Sequence, residues 1–296
     1  MTASAVVETF FDPATFTYSY VVSDPSSAAC AVIDSVLDYD PASGRVEITS
    51  AQQIIDYVTN NALRVQWILD THVHADHLSA SRFLQHRLGG KTAIGHQVTR
   101  VQQTFAEVFH LESGFVSDGH QFDHLLSAQS TFKIGNLTAH VLETPGHTPA
   151  CLTYVIGGMA FVGDTLFMPD YGSARTDFPG GDAAALYHSI RTILALPADT
   201  ELYLCHDYGT EERKEFCNVT TVAEQRADNI HVQDKVSLED FVALRAARDK
   251  TLAAPKLLLP SVQFNIRGGA FPPAEDNGKR YFKIPLNTLA CGDLSE

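Results

Sequence analysis

The chain has 296 residues, a net charge of −14 and 45% hydrophobic residues. That length suits one large domain with an extension, or at most two domains, and the composition is that of a globular chain with a real core. The acidic balance argues against nucleic acid or an anionic membrane surface as partners, since both want a basic face. No apolar run approaches the roughly eighteen residues of a membrane span, and residues 1–8 lack a basic segment followed by a long apolar one. The five cysteines, Cys30, Cys151, Cys205, Cys217 and Cys291, form no CxxC pair and no even framework, so reduced thiols and a cytoplasmic location are expected.

Residues 6–11, 16–22 and 29–34 read as antiparallel strands, with Ser23-Asp24-Pro25-Ser26-Ser27 turning between the last two. Residues 40–44 read as a polar loop, and Ser50 as the N-cap of a helix over 51–63. A buried strand at 64–70 leads into Thr71-His72-Val73-His74-Ala75-Asp76-His77. A helix over 78–88 follows, closed by Gly89-Gly90. Three imidazoles and a carboxylate thus sit at the carboxyl end of a strand, where open α/β sheets place their ligands. Neutral imidazole binds zinc, iron and similar ions, and carboxylate suits the harder ones. On an extended loop His72 and His74 point the same way, while Asp76 and His77 open the helix, so one peptide offers two ligand pairs.

An HxHxDH string at a strand end resembles the signature of the metallo-β-lactamase superfamily, and the resemblance implies three more ligands downstream. Further strands are expected at 91–95, 122–126, 130–134, 137–142, 151–156, 159–162 and 201–205, with hairpin turns at Gly135-Asn136 and Gly157-Gly158. His147 follows the strand at 137–142, Asp164 the strand at 159–162, and His206 the strand at 201–205. Helices are expected at 98–109, 182–196 with Asp182 as its cap, 222–229 and 238–252. The other histidines, among them His120, His124 and His231, lack a strand-end context and read as surface or satisfied polar residues. The expected fold is α/β, a metallo-β-lactamase αββα sandwich with two facing mixed β-sheets and outer helices. It occupies residues 1–253. From 254 to 296 Pro, Gly and irregular segments read as an extension packed on the same domain.

The ligand set allows two uses. His72, His74 and His147 can form one site and Asp76, His77 and His206 another, with Asp164 bridging, as in dinuclear hydrolases. Alternatively His72, His147 and Asp164 alone form the 2-His-1-carboxylate triad of non-haem Fe(II) oxygenases. Past Asp164 comes Met168-Pro169-Asp170-Tyr171-Gly172 and then Arg175-Thr176-Asp177-Phe178, which is similar to the glutathione persulfide dioxygenases, in their bacterial β-lactamase-like hydrolase branch. Weaker strings, Asn265-Ile266-Arg267-Gly268-Gly269 among them, extend the resemblance over nearly the whole chain.

That resemblance implies an enzyme with one Fe(II) per chain and no 2-oxo acid. It would oxidise glutathione persulfide with O2 and water to sulfite and glutathione. Zn(II) can enter by mis-loading, since the affinity order does not favour Fe(II). In this reading Asp76 and His77 orient water and the ligands, and His74 and His206 line the site. Arg175 is the first choice for gripping a glutathione carboxylate, or else a structural partner of Asp177. Thr148, Tyr208, Asp177 and Arg267 are further substrate-binding candidates. A homodimer is expected from the family. Cys151 and Cys205 sit in apolar strands and are expected to be buried and inert. The competing enzyme is a glyoxalase II-type dinuclear hydrolase of S-acylglutathione thioesters. A metal-binding sensor without turnover is the reading from another class.

Overall fold

Alternation decides which core each strand residue joins. Tyr18, Tyr20 and Val22 of one strand and Ala29, Ala31 and Ile33 of the next point into a core between two sheets, whereas Val21, Cys30 and Val32 point the other way, under helices. The computed structural model describes residues 5–288. The first half runs β1 (Val6–Asp12), β2 (Thr17–Ser23), β3 (Ala29–Ile33), β4 (Val36–Asp40), β5 (Arg45–Glu47), α1 (Thr49–Asn60), β6 (Arg64–Leu69), β7 (Leu78–Ser79), α2 (Ser81–Leu88), β8 (Lys91–Gly95), α3 (Val98–Val108) and β9 (His124–Leu126). The second half runs β10 (Thr131–Ile134), β11 (Leu137–Glu143), β12 (Leu152–Ile156), β13 (Met159–Phe161), α4 (Ala183–Ile193), β14 (Glu201–Tyr203), β15 (Val219–Thr221), α5 (Val222–Asp228), α6 (Leu238–Asp249) and α7 (Leu258–Asn265).

One sheet has the order β1-β2-β3-β6-β8-β9 and the other β10-β11-β12-β13-β14-β15. Both are mixed: β3-β6, β6-β8 and β8-β9 are parallel in the first, and β13-β14 in the second. The inner faces share Tyr20, Ile33, Leu69, Ile134, Val141, Tyr154 and Phe161. Ala51, Ile54 and Val58 of α1 and Leu84 of α2 cover the outer face of the first sheet. Leu186, Ile190 and Ile193 of α4, with Phe241 of α6, cover the second at Ala160, Val162, Leu202 and Leu204. This is the αββα sandwich, and each fully buried Leu, Ile or Phe in its layers contributes on the order of 1.5–3 kcal/mol.

Several local expectations are corrected. Ser50 is not the cap of α1: the helix starts at Thr49, and Ser50 donates its backbone N–H and hydroxyl to Asp38 of β4 at 3.0 and 2.7 Å. A carboxylate far away in sequence thus does the capping. Residues 40–44 are the tip of a β4-β5 hairpin. The helix expected at 78–88 begins three residues later. Leu78 and Ser79 pair with β4, and so Asp76 and His77 lie in a loop and do not open a helix. The three-residue β15 was missed, being recruited as the edge strand beside β14. Residues past 254 are not simply irregular, since α7 is a buried helix against β7. Cys30, Cys151 and Cys205 are buried free thiols and Cys217 is half-exposed, whereas Cys291 lies outside the described residues. Among the described residues no helix is long and apolar enough to cross a membrane.

Candidate metal centre

The loops after β6, β11, β13 and β14 open at the same end of the sandwich and converge. They bring together His72, His147 and Asp164 as one buried group and His74, Asp76, His77 and His206 as a second. Asp164 faces both: its Oδ2 lies 3.8 Å from His72 Nε2 and 3.6 Å from His147 Nε2, and its Oδ1 lies 3.3 Å from His206 Nε2. Asp76 Oδ2 is 3.1 Å from the same His206 nitrogen.

Each ring is turned by an outward hydrogen bond. His147 Nδ1 donates to the Arg175 carbonyl at 2.9 Å, and His206 Nδ1 to the Phe16 carbonyl at 3.2 Å. His72 Nδ1 meets the Thr71 hydroxyl at 3.0 Å, and that hydroxyl donates onward to Asp34 at 2.9 Å. With Nδ1 protonated, Nε2 of these three rings keeps its lone pair directed inward. His74 is reversed: its Nε2 faces Asp34 at 2.9 Å and its Nδ1 is left free.

Within the cluster His72 Nε2, His74 Nδ1, Asp76 Oδ2, His77 Nε2, Asp164 Oδ1 and His206 Nε2 are buried without a hydrogen-bond partner in the protein. Six such orphans in one place would cost several kcal/mol together unless something satisfies them. Imidazole and carboxylate are the donors that borderline divalent metals take, so the residues fit a metal ion. Burial first, and then neighbouring imidazoles, hold His72 and His74 well below the ordinary imidazole range, which keeps them in the neutral, ligating form. Burial pushes Asp164 above the ordinary carboxylate range, and a cation between these donors would offset that penalty. Burial also opposes ionisation of Asp76, but His206 and His77 outweigh it and hold the carboxyl low.

A cavity of about 500 Å3 opens over Asp76, His147 and Asp164. Arg175 and Tyr208 line it; Thr148, Asp177 and Arg267 do not. Arg175 is held bidentately by Asp177 at 2.6 and 2.7 Å. Thr148 is turned to the Cys151 thiol, Oγ1 to Sγ 3.1 Å, and burial lifts that thiol to about 12, out of reach of thiolate chemistry. Arg267 is spent on Glu112 at 2.6 and 2.8 Å and packs over Phe115. Tyr208 stacks on His206, centroids 5.6 Å apart.

Sequence reasoning missed the residues behind the candidate ligands. Asp34 accepts from Thr71 and faces His74, and the signal for it was a carboxylate directly after the all-apolar strand β3. Phe16 and Thr17 reach across from the first sheet to His206, with no motif to announce them.

The Metallo-beta-lactamase superfamily family profile matches residues 12–206, and this span carries all seven converging residues. The chain belongs to the metallo-beta-lactamase superfamily. A probable metallo-hydrolase of Burkholderia pseudomallei (strain 1710b) is 54% identical over 293 residues, 96% of this chain and 99% of its own. Glyoxylase B2 of Dictyostelium discoideum is 47% identical over 98% of this chain and 99% of its own. Mitochondrial persulfide dioxygenase ETHE1 of Homo sapiens is 29% identical over 92% of this chain and 91% of its own. The crystal structure of ETHE1 from Myxococcus xanthus superposes with a TM-score of 0.71 at 28% identity, covering 90% of this chain and 100% of that one. This metallo-beta-lactamase superfamily member is therefore similar both to proteins named as hydrolases and to proteins named as persulfide dioxygenases.

Proposed function

We propose that the protein is a persulfide dioxygenase, with one Fe(II) per chain, that oxidises glutathione persulfide with O2 and water to glutathione and sulfite. The observation that carries this reading is that the Arg175-Thr176-Asp177-Phe178 segment, the one that resembles persulfide dioxygenases, is wired to the two-imidazole, one-carboxylate set. Arg175 gives its carbonyl to His147, whose Nε2 faces Asp164 beside His72. The likeness to human persulfide dioxygenase and to the Myxococcus xanthus structure supports it.

Fe(II) held by His72, His147 and Asp164 would supply neighbouring open positions for the substrate sulfur and dioxygen, together with the redox chemistry. The outer sulfur of the persulfide gives up all the electrons that dioxygen accepts, so no 2-oxo acid is needed. Both dioxygen atoms and one water oxygen end on that sulfur, the S–S bond breaks, and the tripeptide sulfur leaves as thiolate. The chain's own part is to hold the reactants. Asp76, kept ionised, stands 3.1 Å from His206 and is placed to orient the water. The cavity's Arg248 and Lys256 offer positive charge to an anionic tripeptide on an otherwise acidic chain.

One observation favours a second reading. His74, Asp76, His77 and His206 form a complete second donor group, and Asp164 faces both groups. A dinuclear hydrolase of S-acylglutathione would use both, and the glyoxylase and metallo-hydrolase names agree with that. Sulfite release from glutathione persulfide and hydrolysis of S-lactoylglutathione, measured on one preparation, decide between them. Sulfite without hydrolysis is expected; hydrolysis without sulfite overturns the dioxygenase.

A further inference from the structure

Four cationic side chains line the cavity over the donor cluster: Arg175, Arg245, Arg248 and Lys256. Two of them are already spent. Arg175 gives Nε and Nη2 to Asp177 and Nη1 to the Ala253 carbonyl at 2.7 Å. Arg245 is buried against the Asp249 carboxylate and the Ser173 carbonyl. Arg248 and Lys256 differ. Among the described residues neither has an ion pair or a side-chain hydrogen bond, although the chain carries 35 acidic residues against 21 basic ones.

Arg248 is half-buried, three residues on from Arg245 along α6, with its guanidinium 5.9 Å from the centre of the Tyr171 ring. The guanidinium lies within cation–π distance of that ring, and its N–H groups have no hydrogen-bond partner among the described residues. Tyr171 in turn packs on Tyr208 at 5.2 Å, and Tyr208 stacks on His206. One aromatic wall therefore runs from the free cation to the donor cluster. Lys256 stands exposed at the rim of the same cavity.

We propose that Arg248, assisted by Lys256, binds a carboxylate of the thiol tripeptide and is the specificity-determining residue of the site. A free fork-shaped donor recognises a carboxylate bidentately, and it does so here without breaking an existing pair, as Arg175 would have to. The proposal rests on glutathione as the carrier, which the dioxygenase and thioesterase readings share, so it can survive failure of the sulfite assay.

The test is calorimetric titration of the metal-loaded protein with S-methylglutathione, which cannot react, and with its diethyl ester, in which both carboxylates are masked. Arg248→Gln is expected to weaken the free acid about tenfold or more and the ester hardly at all, the range of one charge-assisted hydrogen bond. Lys256→Gln is expected to show the same selectivity with a smaller loss. Equal losses on both ligands, or no loss on the acid, overturn the proposal. Absence of binding by the parent protein overturns it together with the tripeptide reading. If Arg248→Gln does not retain its metal, Arg248→Lys decides: it is expected to weaken the acid selectively, and an equal loss on acid and ester overturns the proposal.

Discussion

Asn265 donates its side-chain amide to the carbonyl of His77 at 2.8 Å, across 188 residues of sequence. The same amide reaches the His74 carbonyl at 2.8 Å, and its oxygen accepts the Ser79 N–H at 2.8 Å. One buried side chain on α7 therefore closes the loop that carries four candidate ligands. It supplies the backbone partners that a histidine-rich turn cannot find within itself.

Asn265→Ala leaves two buried carbonyls and one buried N–H unpaired. We expect a loss of about 3 kcal/mol or more in chemical denaturation, from several unsatisfied groups at about 1–3 kcal/mol each. Weaker metal retention on dialysis should accompany it. A variant as stable and as metal-rich as the parent would show that the loop holds its shape alone.

Gly146 makes a different demand. Its φ is +136°, and a Cβ there would lie 2.3 Å from the Leu186 backbone nitrogen at the start of α4. The loop presenting His147 is thus pressed against a helix with no room for a methyl group. Gly146→Ala is expected to cost about 2 kcal/mol or more and to lower metal content. Thermal melting with metal analysis checks both.

His231 gives the fold a pH dependence. Burial, followed by the guanidinium groups of Arg245 and Arg248, pushes it down to about 4, and in the fold Nδ1 accepts the Ser173 N–H at 3.0 Å. The unfolded chain protonates this ring at about 6.5 and so binds more protons than the fold between the two values. Stability is complete above that window and falls as the pH drops through it, by on the order of 3 kcal/mol. His231→Gln should flatten the curve between pH 7 and pH 4 relative to the parent. An unchanged slope in urea titrations would show that His231 is not the group responsible.

The two donor groups respond differently to substitution if the centre is mononuclear. His147→Ala and Asp164→Ala are expected to lose the iron. His77→Ala and His206→Ala are expected to keep one iron per chain while losing about 10–100-fold in activity or affinity, the usual range for groups that position ligands. Two metals in the parent, falling to one in His77→Ala, would indicate the dinuclear use.

The converging donors were legible because strand-end position and residue chemistry coincide: His72, His147, Asp164 and His206 each lie in the loop that follows a strand, and the structure brings them together. What was not legible depends on partners far away in sequence. Ser50 looks like a cap until Asp38 is beside it. Arg267 looks free for substrate until Glu112, 155 residues earlier, takes it. Leu78 and Ser79 have helical neighbours, yet pairing with β4 and the Asn265 amide hold them extended. Local pattern carries chemistry that is local, and α7 closes the loop through contacts that no spacing rule encodes.

The central claim is tested most directly by an oxygen electrode. Fe(II)-reconstituted protein is given glutathione persulfide, and sulfite and iron are measured alongside. The account predicts oxygen uptake equimolar with sulfite at one iron per chain, abolished in His147→Ala and Asp164→Ala. Persulfide consumed without oxygen uptake, or no reaction from protein carrying its full iron, would contradict it.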